Sequence, residues 1–194
     1  MKVIGITGGI ATGKSTITSF LRENGFIVID ADVISKYVMS KGSHAYYEIL
    51  REFGEEVLNE DNWIDNKKLG HIVYSSNSKF EKLTEITHNK IEGLISEQIK
   101  MYRVNFGEKV IFVDAPLLIE SGIQKIVDEI WLVNTEKKLQ IERLMEKNKI
   151  SEEEATKRVE MQIPMEEKVR YANIIINNSA SKEKLYKRLL EEII

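Results

Sequence analysis

The feature that most constrains this chain is the stretch Gly8-Gly9-Ile10-Ala11-Thr12-Gly13-Lys14-Ser15, which reads G-x-x-x-x-G-K-S directly after the apolar run Val3-Ile4-Gly5-Ile6. A glycine-rich loop between a strand and a helix can curl tightly enough to aim successive backbone N–H groups at a polyphosphate. The helix opening at Lys14 turns its positive dipole end toward the same anion. In this P-loop arrangement Gly8 and Ala11, Thr12, Gly13, Lys14, Ser15 and Thr16 surround the phosphates of ATP; Lys14 reaches the β- and γ-phosphates and Ser15 ligates Mg²⁺. The competing reading, a glycine-rich turn that binds nothing, explains the glycines but not their agreement with strand and helix.

A chain of 194 residues, 42% hydrophobic and 30% charged, can bury one sizeable core, which favours one compact domain with insertions. It has no cysteine, and its three histidines, His44, His71 and His88, are not paired at metal-ligand spacing. Disulfides, cysteine nucleophiles and structural zinc are thereby excluded. No apolar run approaches the roughly 18 residues of a membrane span, and no leader is apparent, so a cytoplasmic location without membrane partners is expected. The net charge of −3 gives no bulk basic field for nucleic acid, so an anion site must be built locally.

Phe26-Ile27-Val28-Ile29 reads as a buried strand delivering Asp30-Ala31-Asp32 to its carboxyl end, the edge where open α/β sheets bind ligands. From Val33 to about Phe106 no strand is expected. Helical patterns run over Ser43 to Phe53 and, weakly, Leu69 to Tyr74, and a capping box at Ser78-Lys79-Phe80-Glu81 opens a long helix. Val110-Ile111-Phe112-Val113-Asp114 resumes the sheet, with Asp114 placed like a Walker B carboxylate, and Ile130-Trp131-Leu132-Val133 adds another strand. Asn134 or Thr135 is expected to cap a helix to about Lys147, and Ser151 to open a second, giving a helical hairpin from Thr135 to Gln162. Ile174-Ile175-Ile176 is the last strand, Ser181 to Ile194 a closing amphipathic helix, and the sequon Asn177-Asn178-Ser179 coincidental. The expected fold is thus a three-layer α/β/α P-loop fold with a mostly parallel sheet.

Together these residues resemble the dephospho-coenzyme A kinases, a family of P-loop kinases, over nearly the whole length. The resemblance rests on I-T-G-G-I-x-x-G-K-S-T at Ile6 to Thr16, I-D-A-D at Ile29 to Asp32, and P-L-L-x-E at Pro116 to Glu120. Phe53-Gly54, Ile64-Asp65, Lys68-Leu69, His88, Gln140, Arg143-Leu144, Gln162, Glu167-Lys168 and Asn177 also match. The chain has Asn66, Asn89, Lys147 and Asn173 where the family pattern has a basic residue, proline, arginine and aspartate. Lysine at 147 lacks the planar fork with which arginine grips a phosphoryl group.

The resemblance implies transfer of the ATP γ-phosphoryl to the ribose 3′-hydroxyl of dephospho-coenzyme A, with Mg²⁺ as cofactor. It implies a nucleotide-binding core over 1–33, 107–134 and 171–194, a helical substrate-binding insertion over 34–106 and a helical lid over 135–170. A monomer or weak homo-oligomer is expected. Catalysis of this kind is mostly positioning and charge neutralisation, assigned to Lys14, Arg143 and a base that orients the hydroxyl. Asp32 is that candidate base, its alternative role being a helix N-cap; Asp30 divides between Mg²⁺-water contact and capping. Asp114 competes with Asp32 for contact with Mg²⁺ through water, and Asp32 is placed first. Leu117, Glu120 and His88 are candidate substrate contacts, although Glu120 also reads as a surface carboxylate and His88 as a packed residue. Arg143 and Lys147, four apart on one helix face, read as lid cations or as surface salt-bridge partners.

Two rivals share much of this pattern: a P-loop kinase for another nucleoside or nucleotide, and a nucleotide-hydrolysing switch. Asn89-Lys90-Ile91-Glu92 superficially matches a guanine-reading N-K-x-D, but it ends in Glu and precedes the Walker B strand. Asp114-Ala115-Pro116-Leu117 lacks a switch glycine.

Overall fold

The computed structural model describes residues 2–73, 76–106, 110–160, 162–179 and 182–193. Tyr74, Gly107, Ser181 and Ile194, which bound expected elements, lie outside them. The chain divides into two compact units, residues 1–29 with 102–194 and residues 30–101.

The first unit is built on a five-stranded sheet of β1 (Lys2–Gly8), β2 (Ile27–Asp30), β3 (Val110–Asp114), β4 (Glu129–Asn134) and β5 (Ile174–Asn177), in the order β2-β3-β1-β4-β5. Strand β1 pairs in parallel with both β3 and β4, and β4 in parallel with β5. The continuous apolar runs follow from this, because a parallel strand buried on both faces has no polar side. Ile4 and Ile6, two apart on β1, point to one face and join Phe112, Trp131, Val133 and Ile176. Helices α1 (Lys14–Glu23) and α9 (Lys182–Ile193) pack on that face through Ile17, Phe20, Leu21, Leu185 and Leu189. Phe112 meets Trp131 edge-on at 5.5 Å, and Phe20 stacks on Tyr186 at 4.1 Å, joining α1 to α9. Since β1 is central and parallel to its neighbours, its carboxyl end delivers the glycine-rich loop to the edge where Asp114 and Asn177 also emerge.

Beyond β4 the unit continues with α6 (Lys137–Asn148), α7 (Glu152–Glu160) and α8 (Met165–Val169). Ser151 caps α7 as expected, accepting from the Glu154 amide at 3.2 Å. Neither Asn134 nor Thr135 caps α6: Glu136 holds the N-cap position without a side-chain bond. The Thr135 hydroxyl is instead drawn to Ser179 Oγ at 3.0 Å, a tertiary partner that outcompetes the local cap.

The second unit is helical: α2 (Ala31–Val38), α3 (His44–Phe53), α4 (Asn66–Val73) and most of α5 (Asn77–Phe106). Ile49, Phe53, Val57, Leu69 and Val73 form its core, with Phe80, Leu83 and Ile86 packed against them. Asp30 caps α2, its Oδ1 accepting from the amides of Asp32 at 3.0 Å and Val33 at 3.1 Å, so Asp32 is not the cap. Ser43 caps α3 through the Tyr46 amide at 3.0 Å. Asp65 performs the same service for α4; bonds from the Lys67 and Lys68 amides hold its carboxyl below the ordinary aspartate range. Ser78 does not open α5: the helix already runs at Asn77, and the Phe80 amide bonds to the Ser76 carbonyl one turn earlier.

Candidate active site

Gly13, at the N-cap of helix α1, has a left-handed φ of 86°, and the helix has neither a side-chain cap nor an acidic residue in its first turn. Its first-turn amides therefore have no side-chain partner, and its positive end is not neutralised by the sequence. Ala11 also has positive φ, 58°, an unusual conformation for a residue with a Cβ and a mark of a loop shaped for something other than packing. Gly8 is required by close approach: a Cβ there would lie 2.7 Å from the Val133 carbonyl oxygen.

The loop is tied internally and from outside. The Thr12 hydroxyl donates to the Gly9 carbonyl at 2.8 Å, and the Thr16 amide to the Gly13 carbonyl at 3.0 Å. Asn178 Nδ2 donates to the Thr12 carbonyl at 2.8 Å, and the Ile10 amide donates to Gln162 Oε1 at 2.6 Å. Lys14 Nζ makes an ion pair with Asp114 Oδ1, bringing the loop cation and the carboxylate that closes β3 together while Ser15 stays exposed. Arg143, on α6, donates through Nη2 to the Asn178 carbonyl at 3.1 Å. Its Nη1 is buried without a hydrogen-bond partner, 3.7 Å from where a Cβ on Gly13 would stand.

Three further residues singled out in the sequence belong to the first unit. Lys147 is exposed in the last turn of α6. Leu117 sits in the turn after β3, its carbonyl bonded to Ser121. Glu120 follows in the same turn, but its carboxylate is turned inward onto the fully buried Lys168 at 2.7 Å, so it is not a surface carboxylate. In the second unit, Asp32 is exposed in the first turn of α2, and His88 on α5 places Nε2 3.0 Å from Glu92. The roles of Asn178, Gln162 and Lys168 do not follow from the sequence pattern. Gln162 and Lys168 were visible there only as shared letters, and Asn178 only as part of a sequon. A carboxamide following the last strand, at the edge where the loop emerges, is the one signal that could have pointed to Asn178.

A phosphate-binding loop on the central strand of a parallel sheet, with a lysine and an acidic strand end beside it, defines a P-loop protein of the kinase type. The family model for dephospho-CoA kinase (CoaE) matches residues 2–184. A dephospho-CoA kinase from Bacillus anthracis is 44% identical over 179 residues, 92% of this chain and 89% of that protein. Among solved structures, dephospho-CoA kinase from Campylobacter jejuni is 31% identical with a TM-score of 0.69, over 98% of this chain and 94% of that one. TT1252 from Thermus thermophilus is 28% identical with a TM-score of 0.82, over 99% and 95%. The chain belongs to the dephospho-CoA kinase family.

Proposed function

We propose that this chain transfers the γ-phosphoryl group of ATP to the ribose 3′-hydroxyl of dephospho-coenzyme A, the last step of coenzyme A synthesis. The observation that carries the reading is the uncapped, non-acidic start of α1 with Lys14 beside Asp114, in a chain of this family. The loop residues from Ala11 to Thr16 surround the phosphates, and Lys14 exchanges Asp114 for β- and γ-phosphate oxygens. Arg143 offers its unpartnered Nη1 to the transferring group, and Lys147 contributes a more distant charge.

Among the described residues no cluster of three or more histidines or carboxylates could hold a metal. The Ser15 hydroxyl and the Asp114 carboxylate of the first unit are oxygen donors that fit a hard cation arriving with the nucleotide. Mg²⁺ would be held by Ser15 directly and by Asp114 or Asp32 through water, and when bound it would neutralise charge on the phosphate oxygens. Asp32 takes the proton of the 3′-hydroxyl as its oxygen bonds to the γ-phosphorus and the bridging oxygen leaves with ADP. His88 and Leu117 contact the acceptor, while Glu120 serves the site through Lys168. The segment 34–106 carries the acceptor and 135–170 closes over the nucleotide. No described helix is long and apolar enough to cross a membrane. The protein acts in the cytoplasm as a monomer or weak homo-oligomer, without nucleic-acid partners, in keeping with its net charge of −3.

The test is coupled ADP release with dephospho-coenzyme A, adenosine, AMP and shikimate, and mass spectrometry to show that the product gains one phosphate. Dephospho-coenzyme A is expected to be used at least about tenfold more efficiently, because remote parts of a substrate supply binding energy for alignment. Turnover of another acceptor with none on dephospho-coenzyme A would overturn the substrate. Acceptor-independent hydrolysis stimulated by a protein would favour a switch.

A further inference from the structure

We infer that the carboxamides of Asn178 and Gln162 are positioning residues that clamp the phosphate loop from outside, holding its amides toward the nucleotide; the inference rests on the phosphoryl-transfer reading above. For loop amides to converge on an anion, the carbonyls between them must point away and find donors of their own. The Gly9 and Gly13 carbonyls find theirs within the loop, at Thr12 and Thr16. Thr12 is fully buried, so its outward carbonyl depends on Asn178 Nδ2 at 2.8 Å. On the other side of the loop, Ile10 presents its amide to Gln162 Oε1 at 2.6 Å, while the amides of Thr12 and Thr16 are turned onto the Gly9 and Gly13 carbonyls, which leaves those of Ala11, Gly13, Lys14 and Ser15 for phosphate. The two clamps come from positions 166 and 152 residues away in the chain.

Asn178 does more than satisfy one carbonyl. Its own amide donates to the Asn134 carbonyl at 2.8 Å, which fixes it to the end of β4, and its carbonyl receives Arg143 Nη2 at 3.1 Å. One residue thus sets the position of the loop relative to the guanidinium whose second terminal nitrogen has no partner. Its carboxamide also fills the space that a side chain at Gly13 would need, so the glycine and the asparagine are matched. Neither carboxamide touches the reacting atoms; both act through the loop amides and, for Asn178, through Arg143.

The experiment uses Asn178→Leu and Gln162→Met, close in size and without hydrogen-bonding atoms, in the full chain. Because a buried carbonyl or amide is left unpaired, the KM for ATP is expected to rise about tenfold with a fall in kcat, while the KM for dephospho-coenzyme A holds. Hydrogen exchange of the peptide spanning residues 9–16 is expected to accelerate in both variants, with exchange over β1 and β4 unchanged. Should Asn178→Leu fail to fold, Gln162→Met, at a half-buried position, still carries the test. An unchanged KM for ATP in a folded variant overturns the inference. So do equal rises in both KM values with a lower melting temperature, the signature of a merely structural role. Titration of ATP by calorimetry separates this from the reaction itself: if wild type fails to phosphorylate dephospho-coenzyme A, tight ATP binding that the variants lose still supports the clamp.

Discussion

Lys168→Met is expected to be among the most destabilising single changes in the first unit, although it removes a charge from a place where water never reaches. Lys168 is completely buried, Glu120 is 8% exposed, and Nζ lies 2.7 Å from Oε1. Neither the ammonium nor either carboxylate oxygen reaches hydrogen-bond geometry with any partner, so the attraction is coulombic contact without directional bonding. Such a pair gains little over an apolar replacement, but removing one member strands the other charge at a cost of about 3–5 kcal/mol. For a chain of this size, about 2–4 °C is lost per kcal/mol, which puts the fall in melting temperature at roughly 6–20 °C. The double variant Glu120→Leu with Lys168→Met removes both charges and is expected to recover most of the loss. Urea and thermal unfolding followed by circular dichroism give the four corners of the cycle. A single variant within about 2 °C of wild type, or a double variant no better than the worse single, would refute the reasoning.

Lys14→Ala should abolish transfer while leaving the circular dichroism spectrum unchanged, since the residue serves the loop mouth rather than the core. Asp32→Asn should lower kcat by roughly 10²–10⁴, the usual range for a positioned base, with ATP affinity little changed; if Asp114→Asn does more damage, the two carboxylates exchange roles. Arg143→Ala should cost far more kcat than Lys147→Ala, and Lys147→Arg should be tolerated, because Arg143 holds a buried, unpartnered donor beside the loop whereas Lys147 is exposed; equal losses would indicate a two-cation clamp. Burial tends to raise the carboxyl pKa of Glu129, but bonds from Lys2 and from Trp131 Nε1 at 2.6 Å outweigh it and hold the group below the ordinary glutamate range. A depressed folded pKa contributes stability above the unfolded value and loses it as pH falls through the folded one. Lys2→Met should therefore lower stability at neutral pH by less than about 1 kcal/mol, Lys2 being half exposed, and flatten its acid limb; an unaltered pH profile in urea unfolding would exclude this contact.

The first 16 residues carry the loop, and the strands carry themselves. Val110 to Val113 is apolar without alternation because both faces are covered, and that can be read from four letters. Asp114 at its end was legible for the same reason, since a carboxylate closing a buried strand has one edge to occupy. Helix starts were less legible. Ser151 caps where its spacing says it should, but Ser78 falls inside α5 and Thr135 is claimed by Ser179 across the fold, because a hydroxyl satisfies whichever donor or acceptor the folded chain brings nearest.

By itself, the sequence determined the local chemistry: the glycines that let the loop curl, the lysine and serine that follow at fixed spacing, and the periodicities that make strands and helices. Tertiary structure alone decided what holds that chemistry in place. Asn178, Gln162 and Lys168 are ordinary polar letters on their own segments, and nothing within a few residues of them signals burial. The role of Asn178 arises when parallel pairing brings the end of β5 beside the loop at the end of β1, more than 160 residues earlier, and those of Gln162 and Lys168 when the chain returns to Ile10 and Glu120. A buried carbonyl must then find a donor wherever the chain returns, and which residue supplies it depends on topology, not on neighbours in sequence.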